Sequence, residues 1–266
     1  MRNKVSHKRP ILPPGTILQH MYLRERLRTL GLQGNFFCEI GTGEGLLSNL
    51  LLTAGLCGEA YELNSNSCEL ARSLNINFIN RNTFKVHQED FLSSRQKTSY
   101  DLIISCMVIE HFSDQELAQY FNTASRKLTE NGILITLVPA GMKFWGIEDE
   151  IAGHQKRYSR QMLKGLANQY GFKLTHLAGL TYPLSNLLLP ISNHLVKGSE
   201  SNLLKLNNKQ KTIFSGNRSV LMKTHFPNVM GLVLNPYCLY PFHILQKLFS
   251  KSEDSMVLYS EMKKIN

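Results

Sequence analysis

Phe36-Phe37-Cys38-Glu39-Ile40-Gly41-Thr42-Gly43-Glu44-Gly45-Leu46-Leu47-Ser48 decides how the rest of the chain is read. An apolar run closes on an acid, three glycines alternate, and an apolar stretch of helical character follows. The pattern predicts a strand, a tight turn and a helix start. Glycine adopts positive φ without strain and has no Cβ, so such a turn lets a ligand approach the backbone closely. The spacing is Gly-x-Gly-x-Gly, not the Gly-x-Gly-x-x-Gly of a dinucleotide pyrophosphate site. Glu39 and Glu44 would repel a pyrophosphate, and no Gly-Lys-Ser/Thr follows to make a triphosphate loop. The two carboxylates suit a ligand with an ammonium, a sulfonium and ribose hydroxyls.

Working outward, Gly58 to Asn64 reads as a second short strand ending at Glu62, an acid about 20 residues past the turn and placed to accept ribose hydroxyls. Phe84 to Phe91 reads as a third, ending in Asp90-Phe91, where the acid suits an adenine amino group and the ring can pack near the base. Tyr100-Asp101-Leu102-Ile103-Ile104-Ser105-Cys106-Met107 is a continuous apolar run of the kind buried parallel strands use. Asn131-Gly132 introduces a fifth strand over Ile133 to Val138, and Asp114 to Leu128 has helical spacing. Strands alternating with helices predict an α/β doubly wound sheet.

In these residues the chain resembles the class I S-adenosylmethionine-dependent methyltransferases, small-molecule branch. The matching segments are Glu39 to Gly45, Glu62, Asp90-Phe91 and Asp101 to His111, in the family's order, and the likeness spans roughly residues 15 to 180. The resemblance implies a Rossmann-like seven-stranded sheet with its last strand antiparallel and helices on both faces. It implies S-adenosylmethionine as cofactor, with Glu39, Gly41, Thr42, Gly43, Gly45, Glu62, Asp90, Phe91, Cys106 and Met107 around it. Gly41 and Gly43 would lie under its methionine part, Glu62 on the ribose and Asp90 on the adenine amino group.

The implied organisation is a basic N-terminal segment and helix over 1–30, a cofactor-binding domain over 31–180, an apolar, mostly helical cap over 181–254, and a last strand and tail over 255–266. The helix is expected from Gly15 to Leu27, a sixth strand at Gly171 to Leu177 and the last strand at Met256 to Glu261. The long insertion, rich in Leu, Tyr and Pro, reads as a lid over the acceptor pocket.

The net charge of +10 is uneven. Residues 1–30 hold seven Lys/Arg against one acid, residues 31–196 thirteen against fifteen, and residues 197–266 ten against four. Basic ends around a near-neutral middle suit an anionic partner: a phospholipid surface, nucleic acid or an anionic substrate. The five cysteines form no CxxC pair, which predicts a reduced, cytoplasmic setting and no metal. No run is long and apolar enough to span a bilayer.

A sulfonium methyl is already activated, so the protein must place the acceptor in line and, for a hydroxyl or amine, remove a proton. Histidine suits that task near neutral pH. His154 is the first candidate and His111 the second, both expected beyond the carboxyl edge of the sheet. Gly153-His154-Gln155-Lys156-Arg157-Tyr158 resembles a Gly-His-x-x-Arg-Tyr element of small-molecule and glycan- or lipid-related methyltransferases. Arg157 would clamp an acceptor carboxylate or phosphate, with Trp145 and Tyr158 lining the pocket. O- or N-methylation of a small-molecule or lipid- or glycan-linked acceptor is the favoured activity. An RNA methyltransferase using the basic ends and a non-catalytic cofactor-binding scaffold are the alternatives. Ser105-Cys106-Met107-Val108 stands where enzymes of exocyclic base nitrogens carry Asn/Asp-Pro-Pro-Tyr/Phe, which argues against that class.

Overall fold

The structure, a computed structural model, describes residues 10–200 and 226–265. The basic segment before Pro10 and the middle of the expected cap, residues 201–225, lie outside the described residues.

Seven strands form one sheet: β1 (Phe36–Ile40), β2 (Cys57–Tyr61), β3 (Phe84–His87), β4 (Tyr100–Cys106), β5 (Leu128–Pro139), β6 (Phe172–Leu180) and β7 (Val257–Lys264). Their order is β3-β2-β1-β4-β5-β7-β6. β1 to β5 are mutually parallel, and β7 runs antiparallel to both β5 and β6. The expected Rossmann-like sheet with an antiparallel last strand is the one observed. β5 starts earlier than its apolar run, because Leu128 pairs with Tyr100 beyond a register shift.

The helices are α1 (Pro14–Leu30), α2 (Leu46–Thr53), α3 (Ser65–Leu74), α4 (Ile76–Asn80), α5 (Asp114–Lys127), α6 (Ile147–Ala152), α7 (Arg160–Gln169), α8 (Leu184–Glu200) and α9 (Tyr240–Leu248). Asn64, Ser113 and Ser159 cap α3, α5 and α7 by accepting backbone N–H groups in the first turn. Successive residues of β4 serve opposite faces. Leu102 and Ile104 join Leu27, Leu51 and Ala71 of α1, α2 and α3, while Ile103 joins Leu117, Phe121 and Leu163 of α5 and α7. A strand covered on both faces has no polar side, which is why its sequence is continuously apolar.

Helix α1 is tied to the sheet by charge as well as by packing. Arg26 donates from Nε at 2.7 Å and from a terminal nitrogen at 3.0 Å to Glu261, which is buried on β7 and also accepts from the Tyr259 hydroxyl at 2.7 Å. Tyr22 and His176 share a further hydrogen bond of 2.8 Å. Helix α9 folds back onto α1, with Glu25 accepting from Lys247 and bonded to His243, and Gln246 donating to the Leu18 carbonyl. Helix α8 packs on both α1 and α6. Among the described residues no helix is long and apolar enough to cross a membrane.

The Arg26–Glu261 pair gives a stability prediction. Glu261→Ala leaves a half-buried guanidinium and the Tyr259 hydroxyl unpaired, and it should lower unfolding free energy by about 3 kcal/mol in urea titration. A loss within about 0.5 kcal/mol would mean that α1 is held by apolar packing alone.

Candidate active site

The turn after β1 is built by its three glycines, at φ +70° (Gly41), +52° (Gly43) and +79° (Gly45). Their surroundings differ. A Cβ on Gly41 would lie 2.6 Å from a Val108 methyl, and one on Gly45 would lie 2.8 Å from Ala71 Cα and from the Asn75 amide. Around Gly43 such an atom meets nothing within 4 Å, so this glycine forms an open ledge. Beneath the turn, the buried Glu39 carboxylate accepts from Thr42 Oγ1 at 2.9 Å and from the Ser48 hydroxyl. Burial pushes its carboxyl up to about 8 against those hydrogen bonds. Glu39 and Thr42 thus hold the turn from inside.

Glu62, just past the end of β2, accepts from Gly43 N at 2.9 Å with one oxygen, and from Leu63 N (2.8 Å) and Asn64 N (2.9 Å) with the other. A carboxylate has about four acceptor positions, so this one is fixed beside the ledge with capacity left for ribose hydroxyls. Asp90 accepts from Leu92 N at 2.9 Å, and Phe91 packs edge-on against Tyr61. Met107 sits at φ +55°, unusual for a side-chain-bearing residue, where the chain turns sharply after β4. Cys106 Sγ lies 3.9 Å from the Gln19 amide oxygen of α1. The open ledge, the fixed acid on β2, the second acid past β3 and the turn after β4 ring one end of the sheet. An adenosine with an amino-acid tail and a sulfonium fits that donor and acceptor set.

A second cluster lies at the same edge, after β4 and β5. The 3₁₀ turn Ile109–His111 carries Glu110 and His111, and the loop after α6 brings His154 to them. The His111 and His154 rings meet edge to face, with centroids 4.8 Å apart. His154 Nδ1 is 2.8 Å from Asp149 Oδ1, and its Nε2 is 3.8 Å from Glu110 Oε1. A carboxylate at Nδ1 keeps the hydrogen on that nitrogen in the neutral ring and turns the Nε2 lone pair outward. Burial raises the Asp149 carboxyl, but hydrogen bonds from His154 and Arg157 outweigh it and leave it below its usual value. Burial, reinforced by the charge of Asp149, pushes Glu110 up to about 8, and burial beside His154 pushes His111 down to about 4.

The sequence-predicted residues separate into two groups. Gly41, Gly43, Glu62, Asp90, Phe91, Cys106 and Met107 all lie at or just past the carboxyl ends of β1 to β4, where Glu62 reaches Gly43 N, and His111 and His154 meet after β4 and β5. Arg157 and Tyr158, expected to bind the acceptor, are both buried, with polar groups taken up by the protein itself. Arg157 is buried and donates to Asp149 Oδ1 at 2.8 Å and to the Ala140 carbonyl, while Tyr158 is fully buried and donates to the Ile109 carbonyl at 2.8 Å. They brace the loop that presents His154. Trp145 stays partly exposed before α6. Glu110 and Asp149 are not among the sequence-predicted site residues. Their signal was an acid adjoining one candidate histidine and an acid five residues before the other.

The sequence matches the model of a methyltransferase domain family over residues 16–177. A putative sarcosine dimethylglycine methyltransferase from Galdieria sulphuraria superposes with a TM-score of 0.59 at 14% identity, covering 93% of this chain and 85% of that one. Mycolic acid cyclopropane synthase CmaA1 gives 0.55 at 17% identity, covering 92% and 87%. Magnesium protoporphyrin IX methyltransferase from Synechocystis PCC 6803, solved with bound S-adenosylhomocysteine (SAH), gives 0.53 at 17% identity, covering 63% and 77%. At these identities the likeness is one of fold. No curated protein matches the sequence.

The differing glycine surroundings separate two effects. Gly43→Ala should weaken S-adenosylmethionine binding by about tenfold or more, near 1.4 kcal/mol, with a smaller loss of stability. Gly45→Ala should instead destabilise the fold by about 2 kcal/mol or more. Calorimetric titration and urea unfolding of both variants check this, and equal effects on both readouts would refute it. Glu39 adds a pH test. Its folded-state proton is retained to about pH 8 whereas the unfolded chain releases it near 4.5, so its contribution to stability falls as pH rises between those values. Unfolding titrations at about pH 5 and about pH 8 should show a fall in stability that Glu39→Gln reduces by an amount on the order of 3 kcal/mol.

Proposed function

The chain belongs to the methyltransferase domain family and is an S-adenosylmethionine-dependent enzyme, and from that premise we propose that it methylates a hydroxyl or amine of a small-molecule or lipid- or glycan-linked acceptor, with His154 receiving the acceptor's proton. When bound, the cofactor supplies an activated methyl on sulfur. Gly41 and Gly43 would underlie its amino-acid tail, Glu62 would accept from its ribose hydroxyls, and Asp90 would accept from its adenine amino group beside Phe91.

The observation that carries the proposal is the His154–Asp149 pair. Asp149 is fully buried, pinned by Arg157 Nε at 2.8 Å and by Gly146 N at 2.9 Å, and it holds the ring by Nδ1 with Nε2 turned toward Glu110 and His111. A histidine fixed in one tautomer at the carboxyl edge of a doubly wound sheet is placed for general-base work. The acceptor we assign to it is an apolar one. Leu187 and Ile191 of α8 are exposed, as are Tyr237, Tyr240 and Leu248 in and beside α9, within the segment we assign as the cap. The Galdieria and Synechocystis chains are named for small acceptors, which is compatible with this reading.

Tritiated-methyl transfer to fractionated extract should identify the acceptor fraction. In it, His154→Ala should lower kcat by about 10²–10⁴-fold with cofactor affinity within about twofold of wild type. Asp149→Asn should also lower kcat, by a smaller factor. Full turnover in His154→Ala would end the assignment of His154 as base.

A further inference from the structure

We infer that Glu110, His111 and His154 form a binding site for a divalent transition-metal ion such as zinc, although the sequence led us to expect no metal. One ligand atom from each residue lies within 4.8 Å of the other two. His154 Nε2 and Glu110 Oε1 are 3.8 Å apart, too far for a hydrogen bond. Ligand atoms about 2.0–2.1 Å from a shared tetrahedral ion lie roughly 3.4 Å apart, so a small inward shift of the three side chains completes the set.

The independent observation is the state of Glu110. Its side chain is fully buried, and beyond its own backbone N–H neither carboxylate oxygen has a hydrogen-bond partner among the described residues. Burying a polar group without a partner is unfavourable, and a cation between Glu110 and the two imidazoles would satisfy it. The surrounding contacts fit the same purpose. Asp149 holds His154 by Nδ1, the usual outer support of a metal-bound imidazole, and His111 is hydrogen-bonded to the Gly153 backbone. Gln155 N donates to the Glu110 carbonyl at 2.8 Å, and its amide donates to the His111 carbonyl at 2.8 Å, which ties the two ligand-bearing segments together.

Two imidazole nitrogens and one carboxylate oxygen favour zinc and its first-row neighbours over magnesium or calcium, which prefer all-oxygen shells. Three protein ligands leave a coordination position open, as in metal sites that act on a substrate. The open position would take the acceptor hydroxyl and make it acidic. The methyl would then pass from the sulfonium to that oxygen, giving a methyl ether and SAH, with the proton released to solvent. His154 is a ligand in the ion-loaded chain and a base in the ion-free one. Ion binding stands without the methyl-transfer proposal; only this role for the ion rests on it.

The test is equilibrium dialysis of the purified, chelator-stripped full chain against zinc, with cobalt(II) absorption as the readout of ligand type. The expected result is one ion per chain with a low-coordinate cobalt spectrum. Binding should be lost or weakened at least about tenfold in Glu110→Gln and in His111→Asn, with SAH binding retained as the check on folding. Asp149→Asn leaves all three ligands in place and should weaken the ion about 10- to 100-fold, so it serves if a ligand variant does not fold. Substoichiometric binding, or binding unchanged in these variants, overturns the inference. One ion bound without methyl transfer to any fraction would sustain this site and count against the proposed reaction; methyl transfer by a chain that binds no ion would do the reverse.

Discussion

The close approach of the Gly41 backbone to Val108 is the constraint on which the rest of the site depends. β1 and β4 lie side by side in parallel, and from them the chain winds outward in opposite directions, to β2 and β3 on one side and to β5 on the other. A crevice opens at the carboxyl ends of the strands where the winding reverses. The Gly41 turn forms one wall and the Met107–His111 segment the other. With 2.6 Å between a would-be Cβ and the Val108 methyl, only glycine lets the two walls meet. The ledge at Gly43 and the Glu110/His111/His154 cluster therefore lie on either side of this contact, at the same edge of the sheet.

Four acids around that cleft show how environment divides one chemistry into different roles. Glu39 is buried but hydrogen-bonded by Thr42 and Ser48, and it stabilises the turn. Glu62 is half-buried, is held by three backbone N–H groups and faces the ledge. Asp149 is buried and held by Arg157, His154 and Gly146 N, so it stays charged and orients the imidazole. Glu110 is buried and, beyond its own backbone N–H, has no such partner among the described residues. Hydrogen-bond satisfaction, more than burial, sets Glu110 apart from the other three.

Much of this was legible in the sequence because it rests on local pattern. The alternating glycines, the acid past β2 and the apolar run of β4 are each set by a few adjacent residues. The antiparallel last strand came from family resemblance, since pairing direction is not encoded locally. What misled the reading was side-chain direction in the loop after β5. Arg157 and Tyr158 follow His154 closely, yet the isolated pairing of Tyr158 with Ala140 turns them inward beneath the 3₁₀ turn at Ile109–His111. Glu110 lies 44 positions before His154 and only the fold brings it there, whereas Asp149 lies five positions before it and needs only the turn of the loop.

The most direct measurement is a crystal structure of the chain with SAH, the demethylated cofactor. The account predicts its ribose hydroxyls on Glu62, its tail over Gly41 and Gly43, and its sulfur facing the Glu110/His111/His154 cluster across the β1–β4 crevice. A sulfur directed away from that cluster, with Glu62 unengaged, would contradict it.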